Sequence, residues 1–441
     1  MSRPRVRWLS AVALAGCLAL AAGCGSGGGK APAGGDGGDV IKSALARETK
    51  PSASPDDLAT LVTGNTGFGL ALYQAVKTNE ANVFFCPYSI SLAFSMLYAG
   101  ARGTTAQQIA EALDFSLDPP RHHAAFDALD LTLTSRSQAG PAPSGTGTKP
   151  EGFHLSLANA LFGQRGFPFQ QPFLDTLAVD YGAGLRVLDF MGQPDDSRLT
   201  INAWVAENTN DKIRDILPPG SINAATRFVL ANAVYFLAAW EHEFDPDLTA
   251  TAPFHTATGS TVTVPMMHEA TLMGYAESAE YQAVDLAYNG GAMTMLVLLP
   301  REGQFATFET SLDASRIAAI ASSLTDQEVE LSLPKFKVET TLSLREILAG
   351  MGLTDAFAPA SADFSGIDGA RDLFVAVALH KAYVAVDEAG TEAGAATVIG
   401  GATAAPGEWQ VVTVNRPFLF LIRDRATGTV LFLGRVTNPT A

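Results

Sequence analysis

Two hydrophobic periods run along this chain, and helical spacing is concentrated in its first half. Phe68, Leu72 and Val76 fall on one face of a predicted helix, with Asn65 and Thr66 as candidate caps. The other predicted helices are an apolar one capped by Ser89 and running to Tyr98, one capped by Thr104 or Thr105, Thr200–Ile216 and Leu342–Met351, which ends at Gly352.

Strand-like alternation dominates the second half. Val329, Leu331 and Leu333 alternate with polar residues, and Asn289-Gly290-Gly291 is a hairpin signal between two apolar segments. The predicted strands cover residues 83–85, 153–162, 227–237, 281–286, 293–299, 418–423 and 430–434. Because helices come first along the chain and strands dominate later, the sequence predicts an α+β fold rather than a repeated βαβ unit.

The segment Asp387–Trp409 (DEAGTEAGAATVIGGATAAPGEW) fits neither period. It is long for a loop in a compact domain, and such loops are often functional or disordered. If it became a strand, Thr391, Ala393, Ala395 and Thr397 would share one face, and all four are small enough for a packed interior. The segment can therefore be a loop in one state and a central strand in another. A flexible linker between two strands fits the composition equally well.

Four motifs in fixed order resemble those of serpins, the serine protease inhibitor family. They are Glu388–Thr397, which resembles the hinge of the reactive loop, His380-Lys381-Ala382, Asn415–Phe420 and Phe432–Pro439. Further similar segments are Asn82–Ile109, Asn202–Leu217, Leu230–Trp240, Val264–Met267 and Leu333–Phe336. The resemblance extends over residues 56–441.

This resemblance implies a serpin fold with three β-sheets, about nine helices and an exposed reactive-centre loop at about 388–409. It also implies the family's inhibitory mechanism. A serine protease attacks the loop and forms an acyl-enzyme. The cleaved loop then inserts into the central sheet before the acyl bond is hydrolysed. Small residues at the hinge would let the loop enter the core without overpacking.

The resemblance also assigns roles to single residues of the loop. The hinge residues would be Glu388, Gly390, Thr391, Glu392, Ala393, Gly394, Ala395, Ala396 and Thr397. The family's cleaved residue usually lies fourteen positions after the hinge glycine, which gives Ala404 followed by Ala405. Thr403 and Ala402 remain possible. An alanine there predicts an elastase-like or subtilisin-like target, and no Lys or Arg lies nearby for a trypsin-like one.

A polar cluster beneath the central sheet, which the family calls the shutter, would consist of Asn82, Cys86, Ser89, Asn232 and His380. Trp240 would mark the breach, where the sheet begins to open. Each polar residue can equally be an ordinary hydrogen-bonded core group, and Trp240 an ordinary core aromatic. The family usually has Ser where this chain has Cys86, and a thiol is a weaker donor.

The first residues are typical of an export signal. Three Arg precede the apolar run Trp8–Ala22, and Leu20–Cys24 resembles a bacterial lipoprotein processing site. We expect residues 1–24 to be a signal peptide and Cys24 to carry a lipid. Cys17 is the alternative site, and an ordinary signal peptide is the plainer interpretation. Residues 25–55, rich in Gly, Ser, Ala and Pro, predict a flexible tether before a domain at 56–441.

Charge and cysteine content narrow the possible partners. The net charge of the chain is −16, and loss of residues 1–24 removes three Arg and no acid, which makes it −19. Such an acidic protein is not expected to bind nucleic acid or anionic lipid. With Cys17 removed and Cys24 lipidated, Cys86 has no partner for a disulfide. We expect a monomer on the outer side of a bacterial membrane or in the extracellular space.

Catalytic motifs are not found in the sequence. It contains no Gly-x-Ser-x-Gly, no His-Glu-x-x-His and no dinucleotide fingerprint between a strand and a helix. His122 and His123 are adjacent and cannot share a metal face, and a triad of Ser89, His380 and an Asp has little support. We therefore expect no enzyme, metal or cofactor. The alternatives to an inhibitor are a non-inhibitory protein with the serpin fold and a solute-binding lipoprotein with two α/β lobes.

Overall fold

A computed structural model of the chain describes residues 37–78, 81–137, 153–391 and 409–441. Within these ranges the chain forms ten α-helices and sixteen β-strands. The helices are α1 Pro55–Val76, α2 Pro87–Gly100, α3 Gly103–Ala112, α4 Pro119–Arg136, α5 Gln171–Tyr181, α6 Pro194–Asn208, α7 Phe305–Thr310, α8 Ala314–Ser323, α9 Leu344–Gly350 and α10 Ser365–Asp368.

The strands build two hydrogen-bonded sheets. They are β1 Asp39–Ile41, β2 Val83–Phe85, β3 Phe153–Gln164, β4 Leu185–Leu188, β5 Phe228–Ala239, β6 Ala250–His255, β7 Thr261–Glu277, β8 Tyr281–Ala287, β9 Met293–Pro300, β10 Thr325–Pro334, β11 Phe336–Ser343, β12 Val375–Asp387, β13 Gly390–Thr391, β14 Gln410–Thr413, β15 Phe418–Asp424 and β16 Val430–Val436. Short 3₁₀ turns lie at Pro246–Leu248 and Asp355–Phe357.

The first sheet has seven strands in the order β1-β4-β3-β5-β13-β12-β11, with β5 also pairing directly with β12. The second has nine, in the order β14-β10-β7-β8-β9-β15-β16-β2, with β6 paired to β7. The strand β7 pairs with β6 at its start, with β10 in its middle and with β8 at its end. Through these pairings, β7 connects two groups of strands into one sheet. Without β7 they would form two separate sheets.

The strand β5 is buried along its whole length. Its even-numbered residues, such as Val234 and Phe236, pack in the core between the two sheets. Its odd-numbered residues, such as Val229 and Ala231, pack beneath α6. A residue inserted beside β5 on its even-numbered side would therefore face the core between the sheets, which requires a small or apolar side chain.

Hairpins and alternating strands agree with the sequence predictions. Asn289-Gly290-Gly291 joins β8 to β9, and Gly290 and Gly291 both have the positive φ that such a turn requires. The final hairpin, β15 with β16, is also present. These elements are specified by local patterning, and for that reason they could be read from the sequence.

Helix starts differ from the predictions. Ser54, and not Asn65 or Thr66, caps α1, because its side chain and that of Asp57 form a reciprocal capping box. Asn65 and Thr66 lie inside α1. There Asn65 donates to the Val430 carbonyl and Thr66 to the Val62 carbonyl.

Three further helix boundaries are corrected. Cys86 and not Ser89 caps α2, since its Sγ accepts from the Ser89 backbone N–H at 3.4 Å. Neither Thr104 nor Thr105 caps α3, which begins at Gly103 after Arg102. The predicted helix 200–216 is displaced: α6 spans Pro194–Asn208, and the positive φ angles at 210 and 211 end the helical path.

Part of the predicted tether is folded. Residues Asp39–Ile41 add a strand to β4, and Arg47 pairs with Asp127 at 2.8 Å and with Asp130 at 2.6 Å. The tether prediction was therefore wrong for these residues. A composition rich in Gly and Pro did not reveal the contacts. Residues 1–36, including Cys17 and Cys24, lie outside the described residues. No helix in the described ranges is long and apolar enough to cross a membrane.

Candidate functional site between β5 and β12

The strands β5 and β12 run parallel and are in direct contact over only part of their length. Their direct pairing extends from Phe228 and Val375 to Tyr235 and Tyr383. Beyond that point β13 lies between them and is antiparallel to both. The first residues of the predicted hinge are thus already inserted in the sheet.

Gly390 makes this insertion possible. It pairs with Ala239 of β5 and with Asp387 of β12, at a φ of +151°. A Cβ at this position would lie 2.2 Å from the Ala238 carbonyl oxygen and 2.7 Å from the Ala239 Cα. Both neighbours are backbone atoms that cannot move aside easily. Only glycine fits here.

Thr391 is completely buried. Its Oγ1 lies 2.7 Å from the hydroxyl of Tyr288, whose ring stacks on Trp240 with centroids 4.6 Å apart and planes 9° apart. The Trp240 Nε1 donates to the Asp387 carbonyl at 3.0 Å. Trp240 therefore holds the inserted hinge in two ways: it donates to the turn that leads into β13, and it supports the tyrosine that bonds Thr391.

Glu388 anchors the same turn. It accepts from the Lys335 ammonium at 2.6 Å and from the Thr249 hydroxyl at 2.9 Å. Partial burial raises the pKa of Glu388. The hydrogen bonds that it accepts from Lys335, from its own backbone N–H and from Thr249, together with the charge of Lys335, outweigh burial and leave the pKa below its ordinary value. Glu388 is therefore ionised near neutral pH, and the ion pair ties the base of the loop to the start of β11.

A polar cluster lies where β5 and β12 pair directly. His380 Nδ1 donates to Asn232 Oδ1, and His380 Nε2 accepts from the Cys86 backbone N–H at 3.1 Å. Asn232 Nδ2 donates to the Ser89 hydroxyl and carbonyl and to Asn159 Oδ1. Burial lowers the pKa of His380 to about 3, so the imidazole is neutral.

The structure therefore brings together Cys86, Ser89, Asn232 and His380, and it adds Asn159, which sequence reasoning missed. The sequence does contain a signal for Asn159: it is a polar residue inside the alternating strand β3, and such a residue indicates a buried polar contact. Asn82 does not belong to this group. Its Oδ1 accepts from the Thr437 and Asn438 N–H groups, and its Nδ2 donates to the Asn438 carbonyl. It fixes the C-terminal segment instead.

The rest of the predicted loop lies outside the described residues. This applies to Glu392, Ala393, Gly394, Ala395, Ala396, Thr397, Ala404 and Ala405. Their roles as hinge and reactive bond stay predictions.

The candidate catalytic side chains make structural contacts or have pKa values unsuited to catalysis. The Ser89 hydroxyl donates to Asn159 and not to His380. His122 lies 2.9 Å from the Ser95 hydroxyl, and burial lowers its pKa well below the usual value. Burial also raises the pKa of the Cys86 thiol. The described ranges contain no group of three or more His, Cys, Asp or Glu side chains that could hold a metal ion.

Comparison with known proteins identifies this arrangement. Residues 63–439 match the family model for the serpins, serine protease inhibitors. The chain is 38% identical over 384 residues to a serpin-like protein of Thermococcus kodakarensis, with 86% of each chain covered. It is 36% identical over 392 residues to a leukocyte elastase inhibitor of Bos taurus, covering 86% of this chain and 99% of that one.

The solved structures give the same result. The crystal structure of tengpin, a thermophilic serpin, in its native state superposes with a TM-score of 0.78 at 26% identity, covering 90% of this chain and 97% of that one. The chain belongs to the serpin family, and the expected serpin fold is confirmed.

Proposed function

We propose that this protein inhibits serine proteases as a suicide substrate. The protease cleaves the reactive loop and forms an acyl-enzyme with it. The loop then inserts between β5 and β12 before the acyl bond is hydrolysed. The observation that carries this proposal is β13. Gly390 and Thr391 already pair with both strands, so insertion begins from a formed nucleus.

The register of β13 predicts where the inserted loop residues would lie. Thr391 is opposite Val386 and Ala238, on the face that points to the core between the sheets. Continuing the same antiparallel register gives Ala393 between Val384 and Phe236, Ala395 between Ala382 and Val234, and Thr397 between His380 and Asn232. All four inserted side chains would face that buried side, and all four are small.

Insertion must separate His380 from Asn232, and the cluster is suited to this. After separation, Asn232 would keep its bonds to Ser89 and Asn159, and His380 would keep the Cys86 N–H. Only Asn232 Oδ1 and His380 Nδ1–H would lose a partner. The hydroxyl of Thr397 can donate to the first and accept from the second. No buried polar group would then be left unpaired, which keeps the inserted state favourable.

We propose an elastase-like or subtilisin-like target. The loop offers Ala404 at the reactive bond, and no Lys or Arg occurs between 388 and 409. A shallow primary pocket accepts an alanine side chain. The name of the bovine relative, a leukocyte elastase inhibitor, supports a target of this class.

Incubation with pancreatic elastase tests the proposal. We expect a complex that survives SDS, together with a released C-terminal fragment whose mass places its first residue at Ala405. Trypsin is the matched control and should form little complex. Complete cleavage without any SDS-stable complex would reject inhibition. A fragment that begins outside 403–407 would reject only the placement of the reactive bond.

We also propose that a lipid on Cys24 holds the protein, as a monomer, at the outer side of a bacterial membrane. The apolar segment before Cys24 and the charged residues at its start support this. Cys24→Ser should release the protein into the soluble fraction, whereas Cys17→Ser should not. The opposite pattern would show that Cys17 is the modified residue.

A further inference from the structure

The strands β7, β10 and β14 of the second sheet have one side in the core and one side towards solvent. Val329, Leu331 and Val412 are buried in the core on the inner side. On the outer side, Leu272 of β7 is 63% exposed and Val411 of β14 is 58% exposed. They are the two most exposed large hydrophobic side chains in the described ranges. Strand alternation favours polar residues at such positions, so both residues need an explanation.

Strand pairing places these two residues in one surface. Leu272 lies opposite Glu328, and Val411 lies opposite Glu330. Trp409, the half-buried residue before β14, continues the register beside Glu328. Two strand spacings and one pleat separate the ends of this surface, so it measures roughly 10 by 7 Å between Cα atoms. We call it the outer patch, and it consists of Ala270, Leu272, Glu328, Glu330, Trp409 and Val411.

The outer patch lies beside both ends of the reactive loop. Leu272 and Trp240 line the same cleft, and Trp240 donates to the Asp387 carbonyl where the loop begins. Trp409 is the last residue of the loop. Only four residues connect Ala405, which follows the proposed reactive bond, to Trp409, and they span at most about 14 Å. A protease domain has a radius of roughly 20 Å, so one that holds this bond comes within reach of the outer patch.

The outer patch is negative as well as apolar. It contains two carboxylates, Glu328 and Glu330, and no Lys or Arg. Glu330 Oε1 lies 3.7 Å from His268 Nε2, and that ring compensates the carboxylate only when it is protonated. The chain as a whole has a net charge of −16. Both the local and the overall charge favour a partner with a positive surface.

We infer that the outer patch is a docking surface for the body of the target protease. The protease would contact it with the side of its active-site cleft that binds residues after the cleaved bond, through an apolar area that has Lys or Arg at its edge. Leu272, Trp409 and Val411 would form the buried centre of the contact, where aromatic and aliphatic anchors contribute most of the affinity. Glu328 and Glu330 would orient the partner and speed the encounter.

This inference rests on the proposed function and adds a source of selectivity to it. An alanine at the reactive bond admits any protease that has a shallow primary pocket. The outer patch would distinguish among such proteases, because it favours those with a positive and apolar surface beside the cleft. The loop would therefore set the class of target, and the outer patch would set the rate at which each member of that class is captured.

Binding of leukocyte elastase with its active-site serine replaced by alanine tests the docking surface, because this cationic protein cannot form the acyl-enzyme. With the full chain immobilised, Leu272→Ser should weaken binding about tenfold, since an apolar anchor is lost. Leu199→Ser is the matched control. Leu199 is 49% exposed on α6, outside the outer patch, and its substitution should leave the Kd unchanged. Equal Kd values for the parent protein and Leu272→Ser, or no binding of the parent protein, would overturn the inference.

Charge variants test the orientation of the partner. Glu328→Lys should slow association with the inactive elastase about tenfold at low salt, and 0.5 M NaCl should remove most of this difference. Glu111→Lys changes the net charge equally, at an exposed position of α3, and should slow association less than about twofold. An equal reduction in both variants would show attraction by net charge alone and overturn the docking surface.

Active elastase separates this inference from the proposed inhibition. Leu272→Ser should form the SDS-stable complex about tenfold more slowly than the parent protein, because docking precedes cleavage. Equal rates would overturn the docking surface and leave inhibition intact. Absence of any complex, with patch-dependent binding of inactive elastase retained, would reject inhibition and uphold docking. Sedimentation of the protein alone addresses a second copy as the partner: a dimer that Leu272→Ser dissociates would assign the outer patch to self-association and overturn the inference.

Discussion

The Tyr288 hydroxyl lies 2.7 Å from Thr391 Oγ1, and both residues are buried. This contact joins the second sheet to the first residue that a fully inserted loop would need in place. Burial raises the pKa of Tyr288, so its hydroxyl stays protonated and available for the bond. In the uncleaved protein, β13 thus already occupies the place where an inserted loop would begin. Further along, β5 and β12 still pair directly with each other.

Gly390→Ala should expel the hinge from the sheet. The new Cβ would clash with the backbone of Ala238 and Ala239, and the φ of +151° is unfavourable for alanine. We expect a loss of stability of roughly 2 kcal/mol or more and a change in Trp240 fluorescence. Denaturant unfolding followed by fluorescence measures both. Gly428→Ala, also at positive φ but with nothing near its Cβ, is the control for backbone strain alone. Equal effects of the two substitutions would refute the role assigned to close approach.

Under the proposed mechanism, Thr391→Arg should convert the protein from an inhibitor into a substrate. Burying an unpaired guanidinium costs several kcal/mol, so insertion slows while the reactive bond stays accessible. Since about 1.4 kcal/mol corresponds to tenfold in rate, we expect at least about tenfold more inhibitor consumed per protease trapped. Titration of residual elastase activity measures this ratio.

Glu392→Arg is the matched control for that substitution. Glu392 lies outside the described residues, and strand alternation predicts that it faces away from the core between the sheets. The amount of inhibitor consumed per protease trapped should therefore change little. If both arginine variants trap elastase as well as the parent protein, the assignment of faces is wrong.

His380 should make the native state sensitive to acid. Its pKa in the folded protein is about 3, against 6.5 for an unperturbed histidine, because burial disfavours the charged ring. The unfolded chain therefore binds this proton first as the pH falls below 6.5. The stabilisation is complete above pH 6.5 and is lost progressively towards pH 3.

The size of this effect can be measured with His380→Gln, which cannot titrate. Between pH 7 and 5 the parent protein should lose about 2 kcal/mol more stability than the variant. Denaturant unfolding at each pH gives the comparison. The exposed His255, changed to Gln, serves as the control and should leave the pH profile of the parent protein unaltered. A parallel loss in the parent and in His380→Gln would show that other groups cause the acid sensitivity.

Arg47→Met should destabilise the domain by about 3 kcal/mol, because it leaves the fully buried carboxylate of Asp127 without its ion-pair partner. Arg165→Met removes a pair with Asp39 in which both side chains are more than half exposed, and it should cost under about 1 kcal/mol. Chemical denaturation compares the two. Similar small losses would mean that residues 39–54 contribute little to the fold, as a tether would.

Patterning and motif order were enough to predict the family, two hairpins and the strands β2, β3, β5, β8, β9, β10, β15 and β16. They did not reveal Ser54 or Cys86 as caps, because a cap depends on side-chain geometry that Asn65 and Ser89 satisfy equally well on paper. Asn159 and Asn82 show the same limit. Which polar residues share a cluster depends on the register of β3 against β5, and a sequence does not give that register. The inserted Gly390 and Thr391 likewise depend on a gap between two distant strands.

The thermal unfolding of the protein before and after cleavage of the loop tests the central claim most directly. If the loop inserts between β5 and β12, the sheet gains a full central strand with hydrogen bonds on both sides. Elastase-cleaved protein should then unfold roughly 10 °C or more above the uncleaved protein. Unfolding at the same or a lower temperature after cleavage at 404–405 would contradict insertion and, with it, the proposed mechanism.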